Sequence, residues 1–314
     1  MIKKKNVLVT GARGFIGKNI VEHFKANLSN NYTVFSPYHN ELELLDSQVV
    51  ISFIKSKSID LIIHCANIGG SRKTAYDQDR TDVVYKNLAM FFNLVGAMNK
   101  DTRMVFFGSG AEYARAYYKP KMKEDYFDEH IPEDSYGFSK YVCSKYIESS
   151  EKIVNLRLFG VFGKHEDYEF KFISNAIVKN LLGLPITINQ NIYFDYLYIN
   201  DFLKIVEYFI DKMPKQKFYN AARGQTIDLV TIAKEINKVS EKQSEIIVKH
   251  EGLNTEYSAD NSRLLKEIGN FDFTPFDQAI KELYLWYKSN LNKINKAKIT
   301  KDEYIKYCHI DSQQ

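Results

Sequence analysis

Short apolar runs alternate along the first half of the chain with longer stretches in which apolar residues recur every three or four positions. The runs NVLVT (6–10), YTVFS (32–36), DLIIHCA (60–66), RMVFFGS (103–109) and IVNLRLF (153–159) are apolar almost without interruption. Strands of this kind are covered on both faces, as in parallel sheets. Between them lie FIGKNIVEHFKANL, DSQVVISFIKSK, VVYKNLAMFFNLVGAMN and YGFSKYVCSKYIESS, which carry helical periodicity. This alternation predicts an α/β fold built on a doubly wound parallel sheet with right-handed crossovers. After residue 165 the pattern loosens. FKFISNAIVKNLLG, NDFLKIVEYFIDK, TIDLVTIAKEINKVS and PFDQAIKELYLWYKSN read as helices, and IYFDYLYI and SEIIVKH as strands. The expected division is a first domain over 1–165, a smaller α/β cap over 166–290 from which some segments return to the first domain, and a polar, Lys-rich tail over 291–314 that is loosely docked.

Composition narrows the function classes. Over 314 residues the net charge is +4 and no dense Lys/Arg block is interleaved with aromatics, so nucleic acid is not an expected partner. The apolar part of MIKKKNVLVTG is too short for a signal-peptide core or a membrane span, and no other run reaches membrane length. Cys65, Cys143 and Cys308 show no CxxC spacing and the histidines no HxxxH, which argues against disulfides and a metal site and for a reducing cytoplasm. His64 and Cys65 read as packing residues.

The turn Thr10-Gly-Ala-Arg-Gly-Phe-Ile-Gly17 follows the first strand and opens a helix. Gly11 suits a tight turn, Gly14 lets a pyrophosphate approach the backbone, and Gly17 lets helix and strand pack closely, with the helix N-terminus facing the phosphates. A dinucleotide is the expected cofactor. Where NAD binders usually carry an acid after strand two, the chain reads VFSPYHNE, with Ser36 near that place, while Arg13 sits inside the turn. This favours NADP(H), with NAD(H) as the alternative. Asp46 either meets the adenine or caps the next helix.

Tyr136-Gly-Phe-Ser-Lys140 places a phenol and an ammonium on one helix face. A nearby cation stabilises phenolate. Such a tyrosine exchanges a proton with a carbonyl/alcohol pair while a nicotinamide moves hydride, and Ser109, ending the fourth strand in FGSGAEY, would polarise the same oxygen. Tyr117/Lys121, Tyr141/Lys145 and Tyr284/Lys288 share the spacing. Pro120 makes the first pair non-helical, and the others are less well placed after Ser109.

Together, GARGFIG, HCAN, Asn87, Ser109 and YGFSK, followed by RLFGVFG, YFDYLYINDF, FYNAARG and LLKEIGNFDFTPFDQAIKELYLWY, resemble the extended short-chain dehydrogenase/reductases that modify nucleotide sugars. The resemblance covers about residues 5–290. It implies a Rossmann domain with a smaller C-terminal substrate-binding domain, a cleft between them, and a homodimer. Cofactor contacts would fall on Gly11, Arg13, Gly14, Phe15, Ile16, Gly17, Asp46, Ala66, Asn87, Tyr136 and Lys140. Catalysis would fall on Ser109, Tyr136 and Lys140. YHNELELLDSQVVISFIKSKSIDLIIHCANIGG is similar to GDP-fucose synthases, and GSGAEY…YGFSKY with NLRLFGVFGK to 4-ketoreductases of the CDP-abequose synthase type.

Alignment on Tyr113 puts Gly110 and Ala111 where 4,6-dehydratases of the family carry their Asp-Glu pair, and Ala111 where GDP-fucose synthases carry a cysteine. The partner histidine of that cysteine would fall near Lys171. Glu112 or His165 would serve instead only in a rebuilt site. The implied activity is NADPH-dependent reduction of the C4 keto group of a nucleotide-activated sugar. A 3,5-epimerase/4-reductase, a 4-epimerase and a non-catalytic dinucleotide-binding protein are the alternatives. Phe194 replaces the family's diphosphate-binding arginine and Gly160 its usual asparagine, so Arg223, Arg263 and Lys179 become candidate substrate cations. Arg72 either borders the cleft or sits in a solvated loop.

Overall fold

The computed structural model describes residues 4–70, 82–306 and 308; Arg72 lies outside them. The first half folds as β1 (Lys5–Thr10), α1 (Phe15–Asn27), β2 (Tyr32–Phe35), α2 (Ser47–Ser56), β3 (Leu61–His64), α3 (Asp82–Ala97), β4 (Arg103–Ser109), α4 (Ser135–Ile147) and β5 (Ile153–Leu158). Then follow β6 (Gly160–Phe162), α5 (Phe172–Leu181), β7 (Ile186–Asn191), β8 (Tyr193–Tyr198), α6 (Ile199–Asp211), β9 (Phe218–Ala221), β10 (Thr226–Asp228), α7 (Leu229–Val239) and β11 (Ile246–Leu253). The chain closes with α8 (Ser262–Ile268), α9 (Phe276–Ser289), α10 (Lys296–Thr300) and α11 (Glu303–Lys306).

Six strands form one parallel sheet in the order β2-β1-β3-β4-β5-β9. Chain order reverses between β1 and β3, the switch point at which such sheets open a crevice beyond the strand ends. The apolar runs serve two cores at once. Val7, Val9, Ile63, Val105 and Phe107 join one cluster, while Leu8, Ile62, Met104 and Phe106 join the other. Alternate side chains point to opposite faces, so each strand needs apolar residues at every position. This is the doubly wound Rossmann architecture expected.

Among the described residues, two smaller sheets complete the fold. β8 lies between β6, parallel to it, and β10, antiparallel to it. β7 pairs in parallel with β11. The last strand of the large sheet, β9, comes from the later half of the chain. The described part of the C-terminal stretch departs from expectation: it is not loosely docked. Ile299 and Tyr304 are each 2% exposed and belong to the larger core cluster. Two apolar anchors set among lysines seat it.

Candidate active site

The carboxyl ends of β1, β3, β4 and β5 open into a continuous cavity of about 1690 Å³. That exceeds the roughly 300–1,000 Å³ of a typical small-ligand site and leaves room for two ligands. Gly11, Arg13, Gly14, Phe15, Ile16, Gly17 and Ala66 all line it. Gly11 has φ +62°, and a Cβ there would lie 2.7 Å from the Ala66 nitrogen; one on Gly17 would lie 2.4 Å from the Gly11 oxygen. At Gly14, among the described residues, a Cβ would meet only the Gly11 oxygen, at 3.4 Å, so its outer side is open. This cradle beneath the N-terminus of α1 fits a pyrophosphate, because the first-turn N–H groups lack helical partners.

Neighbouring groups shape the cradle. The Thr10 hydroxyl oxygen accepts from the Cys65 and Ala66 backbone N–H groups, each at 3.2 Å, and meets His64 Nδ1 at 2.8 Å. Burial holds His64 down to about 3, so it is a neutral packing residue. Arg13 donates to the Ser36 carbonyl at 3.3 Å and lies 3.9 Å over the Tyr38 ring. Asp46 and Asn87 are not on the wall. Asp46 caps α2, accepting from Gln48 and Val49 at 2.9 and 3.1 Å. Asn87 clamps both backbone groups of Ile68 at 2.8 Å and so shapes the loop beside the cavity.

Ser109, Tyr136 and Lys140 meet on the same wall. Ser109 ends β4, and Tyr136 and Lys140 lie one turn apart at the start of α4. Burial raises the Tyr136 phenol above its ordinary range, opposed by a hydrogen bond with Ser109 and the charge of Arg115. Lys140 Nζ donates to the Phe107 carbonyl at 2.8 Å and sits 5.8 Å from the Tyr136 ring centre. Burial lowers Lys140, opposed in part by the charge of Glu112. Gly70, at φ +71°, backs onto the phenol: a Cβ there would lie 2.8 Å from the ring.

The other YxxxK pairs are engaged elsewhere. Tyr141 and Lys145 both bond Asp128. The Tyr284 hydroxyl meets Ser240 at 2.8 Å, and Lys288 pairs with Glu241 at 3.2 Å. Tyr117 stacks on His130 at 3.7 Å, while Lys121 bonds the Gly224 carbonyl.

Behind Ser109 the turn is tightly braced. Glu112 is fully buried and accepts from Arg157 Nε and the Ser144 hydroxyl at 2.7 Å and from the Ser109 N–H at 3.0 Å. It is therefore a structural carboxylate, off the cavity wall. His165 pairs with Glu22 at 2.9 Å, also off the wall. Ala111 is 0% exposed. At Gly110 a Cβ would lie 2.3 Å from the Tyr257 hydroxyl, which fills the space a side chain would take.

The three candidate substrate cations do not reach the cavity. Lys179 is 2% exposed and bonds Thr187 and Asp302, each at 2.5 Å. Arg223 donates to the Thr274 carbonyl at 2.6 Å, and Arg263 pairs with Asp125 at 2.6 Å. Among the described residues, the Lys and Arg side chains on the wall are Arg13, Arg115, Lys140 and Lys171. Arg115 sits 3.4 Å from Asp134, which caps α4 by accepting from the Gly137 N–H at 2.8 Å. Tyr118, Tyr257 and Glu166 are further wall residues that no motif announces. Glu166 is raised by burial to about 7, with Ser174 donating to it at 2.5 Å.

A model of the NAD dependent epimerase/dehydratase family matches residues 7–222. The chain belongs to that family. It is 24% identical over 294 residues to an ADP-L-glycero-D-manno-heptose-6-epimerase of Brachyspira hyodysenteriae, covering 83% of this chain and 90% of the relative. It is 25% identical over 255 residues to a dTDP-4-dehydro-6-deoxyglucose reductase of Escherichia coli, covering 72% and 79%. In structure it is similar to a GDP-mannoheptose C4 reductase from Campylobacter jejuni with NADP bound, at TM-score 0.78 and 19% identity, covering 92% and 99%. For a member of the family, the cavity offers a cradle for a dinucleotide and, beyond it, a hydroxyl pair able to move one proton. Among the described residues no His/Cys/Asp/Glu cluster suits a metal, and no helix is long and apolar enough to cross a membrane.

Proposed function

We propose that the protein reduces the C4 keto group of a nucleotide-activated 4-keto sugar with NADPH. One observation carries the choice of simple reduction: beside Ser109 and Tyr136, the two positions that would supply further proton transfer are Gly110, covered by Tyr257, and the buried Ala111. With its pyrophosphate in the glycine cradle, the reduced dinucleotide would supply the hydride. Tyr136 gives its proton to the carbonyl oxygen, Ser109 orients that oxygen, and Lys140 would hold the nicotinamide ribose and steady the phenolate left behind. Arg13, stacked on Tyr38 beside Ser36, supports NADP(H) over NAD(H) because it presents a cation where an acid would otherwise bind ribose hydroxyls. The reductases among the relatives and structural neighbours support the same reading. Among the described residues, Arg115, beside Asp134, and Lys171 are the remaining cations on the cavity wall.

The test is Tyr136→Phe. Turnover of 4-keto sugar nucleotides should vanish while NADPH binding persists; unchanged turnover sinks the assignment. A second reading, epimerisation coupled to reduction, is favoured by Glu166, a carboxyl near neutrality on the same wall. Solvent deuterium at C3 or C5 of the product would select it. Exposed Tyr85, Phe92 and Tyr146 on the packed pair α3 and α4 support a homodimer, which sedimentation tests. The free cysteines fit a cytoplasmic setting.

A further inference from the structure

The cavity does not end at Tyr136. Its wall continues over Lys171 at the head of α5, Asn189 on β7, and Tyr304 and Cys308 of the C-terminal segment. None of these residues belongs to the large sheet whose strand ends hold the glycine cradle. The segment that brings Tyr304 and Cys308 there is held firmly. Asp302, at φ +50°, accepts from the buried Lys179 ammonium at 2.5 Å and from the Thr187 hydroxyl at 2.6 Å. Lys298 pairs with Glu169 at 3.0 Å, and the Tyr304 ring lies 6.2 Å from Phe172. An ion pair to a buried lysine and the buried Ile299 and Tyr304 side chains are more than a solvated tail needs.

The chemistry of this compartment is the Lys171 cation and the Asn189 amide, with the half-buried rings of Phe194 and Tyr196 also on the cavity wall, which suits a nucleoside diphosphate. The cradle end is already matched to the cofactor, so the second ligand is the nucleotide of the substrate. We propose that residues 296–306 together with Cys308 form a wall of the substrate-nucleotide compartment, with Cys308 facing the bound nucleotide. The proposal rests on the nucleotide-sugar reading above. It also explains the fate of Lys179: this lysine positions the wall through Asp302 and does not meet phosphate itself.

Cys308 makes the proposal measurable, because it is half-buried on the wall whereas Cys143 is 2% exposed and Cys65 sits at the cradle. The full-length protein is alkylated with N-ethylmaleimide, alone and with GDP, UDP, CDP, dTDP or NADPH, and each cysteine is followed by peptide mass mapping. The nucleotide that raises the melting temperature should slow Cys308 alkylation by about tenfold or more, while NADPH alone leaves it unchanged. In parallel, Cys308→Trp, a change at a half-exposed position, should raise KM for the sugar nucleotide by about tenfold or more and leave NADPH affinity intact. Unprotected Cys308 in the presence of a stabilising nucleotide, together with wild-type KM in Cys308→Trp, overturns the wall and leaves the reductase reading standing. If no nucleotide raises the melting temperature and no 4-keto sugar nucleotide turns over, the reductase reading falls and the wall with it.

Discussion

The Arg157 guanidinium donates from Nε to the Glu112 carboxylate at 2.7 Å, with side-chain exposures of 1% and 0%. The same carboxylate accepts from the Ser109 backbone, so the pair braces the turn that presents the Ser109 hydroxyl. Removing one partner of such a pair leaves a buried charge uncompensated, at a cost of about 3–5 kcal/mol. Arg157→Met is expected to lose that much stability in urea denaturation followed by circular dichroism. Glu112→Gln, which keeps an acceptor, should lose less than Glu112→Ala.

Gly70 has a conformational reason to be glycine and a steric one. At φ +71° any other residue is strained, by about 1–3 kcal/mol. A Cβ would also press on the Tyr136 ring at 2.8 Å. Gly70→Ala should therefore lower kcat by about tenfold or more through a displaced phenol, with NADPH affinity nearly unchanged. Steady-state kinetics beside fluorescence titration of NADPH separates the two.

Cofactor preference should turn on Arg13. Losing a hydrogen bond to a charged group costs about 1.5–3 kcal/mol, or about 10- to 100-fold in affinity. Arg13→Met should weaken NADPH by about that factor and leave NADH within about twofold. Equal loss for both cofactors would show that Arg13 only shapes the turn.

Glu166 makes a pH prediction. Burial raises its carboxyl from 4.5 to about 7, so the folded protein binds this proton more tightly than the unfolded chain. Its contribution to stability is complete below about pH 4.5 and is lost as pH rises through about 7, by about 3 kcal/mol in all. Glu166→Gln cannot ionise. Compared with wild type, it should have similar stability near pH 4 and be more stable by about 3 kcal/mol near pH 8, in denaturant melts at both values.

The sheet was legible because its signal is local and repeated: Leu8 serves one core while Val7 and Val9 serve the other, and a double-faced strand writes this as an unbroken apolar run. The glycine turn was legible because each glycine has its own steric task. Other features were not. Ile299 and Tyr304 are isolated in a polar stretch, so no period marks their burial. Tyr257 reaches Gly110 from far along the chain, a contact that only tertiary folding creates. Lys179, Arg223 and Arg263 were chosen for charge alone, yet each is satisfied by Asp302, Thr274 or Asp125. Asp46 had two readings, and its geometry shows the helix cap.

The strand β9 carries a consequence for synthesis. It is the last strand to join the large sheet, and its Asn220 accepts from the Tyr113 hydroxyl at 2.7 Å, directly behind the Ser109 turn. Domains generally fold from the N-terminus as the chain emerges. Here the nascent chain holds every proposed catalytic residue long before it holds the strand that braces them. A ribosome-bound fragment ending before β9 would have the cradle and the tyrosine but an open sheet edge at β5, prone to pairing with other chains. The sheet that carries the proposed catalytic residues is complete only once the chain has been made through β9.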